Sequence, residues 1–294
     1  MSVKATNIKD SNKEIWINPA GGYGNILILS GVLKQCFDKD PQQKYCLVRR
    51  AIFTELLDGH PAIRKVGHPP KDAFVITTDY WLKENPGTEN KRPYQILARL
   101  FRLPTPATEQ LYLPGMNDED KLLQDFIPNN GRKIAVIAPS SAAPRKTMKP
   151  LIWQEVVETL TNRGIMVIQV GLKDEIYIKG TYSLLGLTTV RQLISVLKRC
   201  EIVIGVHNFI MHAAYLVGKP ALIIWGPTDS KVYGYAGHNH IQCPTHHCEF
   251  RNSCLEPELT ANLKSPCPLK DKHCMNLVSA DAIIESSINL LSVK

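Results

Sequence analysis

The sequence predicts an α/β protein built from two doubly wound domains, each a parallel sheet with helices on both faces. Three observations carry this. Short apolar runs alternate with longer segments whose apolar residues recur at helical spacing. The alternation occurs twice, on either side of the polar, proline-rich passage "LPTPATEQLYLPGMNDED" (103–120). The unusual polar residues fall just after the apolar runs, where open α/β sheets bind ligands. The expected division is a domain at 1–130, a second at 131–275 containing a cysteine-rich stretch at 243–274, and a last helix in 276–294.

In the first domain, "IWINPAGGYGNILILSGVLKQ" (15–35) reads as strand, Gly-rich turn and helix. Strands are expected at Ile15–Asn18, Lys44–Val48 and Ala73–Thr77. Helices are expected at Asn25–Phe37, Ile52–Leu57 and Pro93–Leu103, followed by the helix-like "EDKLLQDFI". In the second domain, "KIAVIAP" (133–139), "IMVIQVG" (165–171), "EIVIGV" (201–206) and "PALIIWG" (220–226) are buried strands. Helices lie between them at "PLIWQEVVETLTNRG", "TVRQLISVLKRC" and "HAAYLVG", the last opened by His212. "SADAIIESSINLLSV" supplies a final helix, expected to cross back to the first domain.

Hydrophobic residues make up 44% of the 294, enough for sizeable cores and too many for a disordered chain. The net charge of +8 suits an anionic partner (nucleotide, nucleic acid or acidic lipid) or a solvated basic face. Without aromatic and basic residues interleaved, no nucleic acid is expected. The polar start lacks an apolar signal core and no run of eighteen apolar residues occurs, so a cytoplasmic chain with reduced thiols is expected.

Ligand chemistry concentrates at the predicted strand ends. After the strand at 133–139 come Ser140 and Ser141, then Arg145, Lys146 and Lys149, with a helix start at Pro150. Hydroxyls, cations and a helix amino end suit a diphosphate, or make a solvated basic loop. The loop lacks the Gly-Lys-Ser/Thr run of a Walker motif, and the turn Gly21–Gly22–Tyr23–Gly24–Asn25 lacks the dinucleotide glycine order. His207, Asn208 and His212 follow the strand at 201–206, and "GPTD", whose Gly226 and Thr228 can approach a ligand closely, follows the next.

These segments resemble the heptosyltransferases, glycosyltransferase family 9. The resemblance rests on "LLGLTTVRQL", "GVHNFIMHAA", "GKP" and "GPT" in that order, with the serine–lysine loop before them. "HPAIRKV" (60–66), the Gly-rich turn and "HCM" (273–275) resemble the family more loosely. The resemblance implies a GT-B fold with two Rossmann-like domains facing a cleft, an acceptor-side first domain and a nucleotide-sugar-binding second. It implies a nucleotide-sugar donor, a saccharide or protein acceptor, and no catalytic cofactor. Ser140, Ser141, Arg145 and Lys146 would meet the diphosphate, Glu175 the nucleoside, and His207, Asn208, His212 and Thr228 the rest of the donor. Gly22, Gly24 and Asn25 would lie on the acceptor side, and peripheral association with the inner membrane is an expectation.

Two departures from the family pattern matter. Asn25 stands where an aspartate resembling the general base is usual, and an amide cannot take a proton at neutral pH. It can orient a hydroxyl or cap the helix. His207-Asn208-Phe209 stands for the usual Asp-Thr-Gly. Asp79, after the strand at 73–77, and His207 are the alternative bases, with Lys146 stabilising the departing phosphate. The alternative reading is a non-catalytic relative that binds a nucleotide sugar or glycan as sensor or partner subunit.

Five of the eight cysteines, Cys243, Cys248, Cys254, Cys267 and Cys274, lie within 32 residues, with His246, His247 and His273 among them. Such a set can hold a structural Zn or Fe, remain as buried thiols, or pair as disulfides. Some autotransporter heptosyltransferases, a branch the chain resembles, carry a cysteine-rich metal finger in this region.

Overall fold

A computed structural model describes residues 14–43, 45–49, 53–79, 92–104, 109–115, 127–128, 130–244, 248–249, 254, 267, 269 and 274–292. The chain divides into two compact units, Met1–Gly115 and Met116–Lys294. The expected helix "EDKLLQDFI" lies almost wholly outside the described residues.

The first unit contains β1 (Ile15–Asn18), α1 (Tyr23–Lys39), β2 (Tyr45–Val48), β3 (Ile63–Gly67), β4 (Phe74–Thr77) and α2 (Pro93–Leu100). Its four strands are parallel, in the order β3-β2-β1-β4. The chain leaves β1 toward β2 on one side and returns to β4 on the other. The open end beyond β1 and β4 is therefore the switch point at which such sheets bind ligands. Two elements differ from expectation. Thr54–Leu57 is a short 3-10 turn rather than part of an α-helix. The "HPAIRKV" stretch supplies β3, whose mixed charged and apolar residues hid its strand character.

His60, which opens that stretch, is a structural group. Its Nδ1 accepts from the Ala62 N–H at 3.1 Å, which places the ring proton on Nε2, 3.0 Å from the Ser30 carbonyl. Burial lowers its pKa and keeps it neutral. Beside it, Gly31 of α1 lies against the 110–111 backbone, where a Cβ would sit 1.7 Å from the Gln110 carbonyl oxygen. The glycine is there for close packing, at the expense of helix propensity.

The second unit contains β5 (Ile134–Ala138), α3 (Pro150–Asn162), β6 (Met166–Gln169), β7 (Tyr182–Ser183) and α4 (Val190–Lys198). It continues with β8 (Ile202–Val206), α5 (Phe209–Leu216), β9 (Ala221–Trp225), α6 (Ser230–Tyr233), β10 (Asn239–Gln242) and α7 (Ala280–Ser292). All six strands are parallel, in the order β10-β9-β8-β5-β6-β7. The central strands are buried along their whole length, which explains their unbroken apolar runs. β7 and β10, at the edges, are short or polar and carry no such signal.

One face of this sheet is sealed by Trp153, Val156, Val157 and Leu160 of α3 together with Ile283 of α7. Within its own unit α7 packs on α3, β8 and β9. Lys133 adds a bond from Nζ to the Leu291 carbonyl at 3.0 Å. Among the described residues, no helix is long and apolar enough to cross a membrane.

Candidate functional site

In the second unit the chain runs from β5 to β6 and β7 on one side, then returns to β8, β9 and β10 on the other. The switch point lies between β5 and β8. Ser140 follows β5 and His207–Asn208 follow β8, so the fold brings these loops together. Asn208 is the N-cap of α5: its Oδ1 accepts from the Ile210 N–H at 2.8 Å. Its Nδ2 donates to the Ser140 carbonyl at 2.6 Å. The helix thus begins at Phe209, and His212 lies within its first turn rather than opening it.

The 140–149 loop is folded on itself. The Ser141 N–H donates to Thr147 Oγ1 at 3.2 Å and the Ala143 N–H to Ser141 Oγ at 3.3 Å. Pro144–Lys146 forms a 3-10 turn, with the Lys146 N–H donating to the Ala143 carbonyl at 2.9 Å. Lys146 Nζ lies 3.3 Å from His207 Nδ1. The same nitrogen is 2.7 Å from Thr228 Oγ1. With an ammonium on one side, Nδ1 must accept, so Thr228 donates and the ring proton sits on Nε2. Burial lowers the Lys146 pKa to about 8, with Cys254 pulling it up. Burial, then Lys146 and His212, push His207 well below the usual imidazole range.

Behind this contact lies a layer of rings. His207 packs 4.4 Å from Trp225 and 5.5 Å from Tyr233. His212 Nδ1 is 2.8 Å from the Tyr235 hydroxyl, and Tyr235 stacks on Tyr215 at 3.9 Å. His240 Nδ1 accepts from the Trp225 indole N–H at 3.0 Å. His238 completes the layer, 5.6 Å from Tyr235 and 6.5 Å from His240. Burial, then His238 and Lys146, lower the His212 pKa to about 3. Burial, then His240, lower that of His238 to about 4. Sequence reading missed Tyr215, Trp225, Tyr233, Tyr235, His238 and His240. The one legible trace was the run of ring residues from 233 to 240, which leads from α6 into β10, an edge strand that itself was not foreseen.

Glu175 is drawn to the same end of the sheet. Its Oε1 accepts from the Leu172 N–H at 2.9 Å and its carboxylate is hydrogen-bonded by Ser140. Burial raises its pKa against those two bonds. A Cβ on Gly171 would sit 2.3 Å from Glu175 Oε2. The Gly186 N–H donates to the Gly171 carbonyl at 2.9 Å, which brings Leu172 and Leu187 into neighbouring loops, 65% and 60% exposed. Ser140, Ser141, Lys146, Glu175, His207, Asn208, His212 and Thr228 are therefore gathered around one switch point.

Two expected ligand contacts are differently placed. Arg145 is only 4% exposed and its guanidinium donates to the Cys254 carbonyl. Gly226, read as a point of ligand approach, admits Met275: a Cβ there would lie 2.4 Å from Met275 Sδ. The loop that carries Thr228 is held by Gln242, whose Nε2 donates to the Gly226 and Thr228 carbonyls at 3.0 and 3.2 Å.

All eight cysteines are free thiols, so the disulfide alternative is not realised. Burial and then the proximity of Cys254, Cys267 and Cys248 raise the Cys274 thiol to about 11. Cys254 is raised by burial, opposed by Arg145, with Cys267 and Cys248 adding to the rise. Cys243 is buried beside Met275, 3.9 Å from sulfur to sulfur, and raised to about 12 by burial and Cys274. Cys254 and Cys274 thus both lie within electrostatic reach of Cys248 and Cys267. As they stand, no group of three or more His, Cys, Asp or Glu among the described residues could hold a metal ion. His246, His247 and His273 lie outside the described residues.

In the first unit, Gly21 has φ +89° and a Cβ there would lie 2.0 Å from Asn25 Nδ2. The glycine is needed for its backbone and for the Asn25 side chain above it. Asn25 is the third residue of α1 and Gly22 is the N-cap, so the expected capping role of Asn25 is not realised. Gly22 is exposed and open space surrounds it, whereas Gly24 is buried in α1. Thr78 Oγ1 accepts from the Ala20 N–H at 2.9 Å and its own N–H donates to the Asn18 carbonyl at 3.1 Å. This clasp joins the ends of β1 and β4, and it brings Asp79 to the same sheet end as Gly21–Asn25.

No curated protein matches the chain. Solved structures of like fold include a glycosyltransferase family 9 protein from Veillonella parvula, with 12% identity and TM-score 0.69 over 95% of this chain and 97% of that one. The E. coli ADP-heptose lipopolysaccharide heptosyltransferase II gives 13% and 0.68 over 95% and 98%. TibC, a dodecameric iron-containing glycosyltransferase from enterotoxigenic E. coli, gives 15% and 0.70 over 95% and 76%. The family model of glycosyltransferase family 9 (heptosyltransferase) matches residues 90–259, more than half of the sequence, and spans the whole β5/β8 switch point. The chain, with its two parallel-sheet units of GT-B type, belongs to glycosyltransferase family 9.

Proposed function

We propose that the chain is an inverting transferase that moves a heptose from a nucleoside diphosphate to a hydroxyl of a saccharide or protein. The observation that carries this reading is the convergence of Lys146, the Ser140–Ser141 loop and the amino end of α5 at the β5/β8 switch point. An ammonium and oriented N–H groups there suit a diphosphate that gains charge as it leaves. The acceptor oxygen attacks the anomeric carbon from the face opposite the diphosphate. The new C–O bond forms as the bond to phosphate breaks, and the electron pair departs with the nucleoside diphosphate. The hydroxyl proton passes to a base.

Lys146 offsets the leaving charge; it lies against His207, which Thr228 fixes in turn. Glu175 is suited to a ribose hydroxyl, and exposed Leu172 and Leu187 to the face of the nucleobase. Asn208 and His212 line the donor. Asp79 is the proposed base, as the carboxylate at the β4 end of the first unit's switch point. His207 is less suited, since its Nδ1 is engaged and its basicity is low. Asn25 orients the acceptor hydroxyl beside the open surface at Gly22.

Cys248, Cys254, Cys267 and Cys274 are thiols, the donor chemistry that a structural iron or zinc takes, although among the described residues no three donors stand close enough together to hold an ion. Such a metal would hold the segment in shape and take no part in transfer. Iron is the first candidate because TibC is iron-containing. Adenine is the first base to test because fold neighbours include an ADP-heptose enzyme.

The test is thermal stabilisation of metal-analysed protein by ADP, GDP and UDP. ADP at a hundred times its dissociation constant should add about 2.7 kcal/mol. About one metal ion per chain is expected from the four-thiol set. Loss of transfer from ADP-heptose in Asp79→Asn, with ADP binding intact, supports Asp79 as base. No response to any nucleotide would sink the donor reading.

A further inference from the structure

We infer that Arg145 is a positioning residue: it anchors the 140–149 loop to the cysteine-rich segment through the Cys254 carbonyl and so holds Lys146 Nζ against His207. The inference rests on the donor-site reading above. A buried guanidinium needs hydrogen bonds to be tolerated, and Arg145 directs its bond to the Cys254 main chain. The Cys254 thiol takes a further hydrogen bond from the same side chain. The Ser141, Ala143, Lys146 and Thr147 N–H bonds all close within the loop. They shape it and do not fix where it sits.

Arg145 and Lys146 share one 3-10 turn, so a shift of the first moves the second. The 3-10 turn Cys274–Leu277, which follows the cysteine-rich stretch, grips the far end of the loop, where the Lys149 N–H donates to Asn276 Oδ1 at 3.0 Å. Between the two clasps, Met275 fills the space under Gly226, the residue that begins the Thr228 loop. Cys254, Met275 and Asn276 therefore act on both loops that flank His207, beside Gln242 on the Thr228 loop and Asn208 on Ser140. An arginine is required for this, because its rigid fork can serve a carbonyl and a thiol together. A lysine offers a single compact charge on a flexible stem.

The experiment is ADP affinity by calorimetry on the full chain, with R145K, R145M, K146A and R145K/K146A. A positioning role predicts that R145K and R145M both weaken ADP about tenfold, since keeping the charge does not keep the fork. It also predicts that R145K adds little once Lys146 is gone, because its effect passes through that ammonium. Wild-type affinity in R145K with a loss in R145M would make Arg145 a direct charge and overturn the inference. Losses that multiply in the double variant would overturn it too. Unchanged ADP affinity in K146A would remove the donor-site reading itself. Should R145K not fold, Asn276→Ala asks the same question at the other clasp: a weakening of a few fold, absent in the K146A background, is expected, and full additivity overturns the inference.

Discussion

Replacing Lys146 by methionine is expected to lower transfer from a nucleotide sugar by about 100- to 1,000-fold, the usual cost of removing one donor to a developing negative charge. Methionine keeps the length and apolar stem of the side chain and removes the ammonium 3.3 Å from His207 Nδ1. Steady-state kinetics would separate two effects. A fall in kcat with little change in KM means that Lys146 acts on the departing diphosphate. A rise in KM alone means that it binds ground and transition states equally. Transfer within a few fold of wild type would remove Lys146 from the mechanism. Thr228→Val should give a smaller loss, since it removes only the hydroxyl that helps to fix His207.

The second large effect is with pH. His212 and His238 are held neutral in the folded chain, with pKa values of about 3 and about 4. Unfolded, each would titrate near about 6.5. The unfolded chain therefore takes up protons that the folded chain refuses, and stability falls as pH is lowered below that value. At pH 5 each group costs about 2 kcal/mol relative to pH 7. His207 acts in the same direction. Beyond burial, His238 and Lys146 disfavour protonation of His212 and His240 that of His238, and Tyr235 packs against both rings. Denaturant unfolding at pH 7 and pH 5 should show this loss. His238→Phe, which keeps the ring and removes the titration, should recover about a third to a half of it, and equal stability of wild type at both values would contradict the account.

The central strands were legible because parallel strands buried on both faces read as unbroken apolar runs. β5, β6, β8 and β9 appear within one or two residues of expectation. β3 was not legible, because "IRKV" places charge beside apolar residues on an edge strand with an exposed face. The strand-end rule located Ser140, Lys146, Glu175 and His207, since topology alone places those positions together. It could not tell which way a side chain turns. Arg145 looked like a phosphate ligand by type and position, yet its guanidinium lies with Cys254. Gly226 looked like a gap for a ligand and is a gap for Met275. Both surprises come from contacts distant in sequence, Arg145 with Cys254 across 109 residues and Gly226 with Met275 across 49, which no local pattern records.

The packing of α7 on α3 also fixes an order of events during synthesis. α3 leads out of the 140–149 loop at Pro150, and the helix that covers its apolar side is not made until residues 280–292 are added. At about 5–20 residues per second, the ribosome takes on the order of ten seconds to cover that distance. During this interval the growing chain carries Trp153, Val156 and Leu160 without the partner that seals them. The second unit therefore acquires its finished core only after residues 280–292 have been translated.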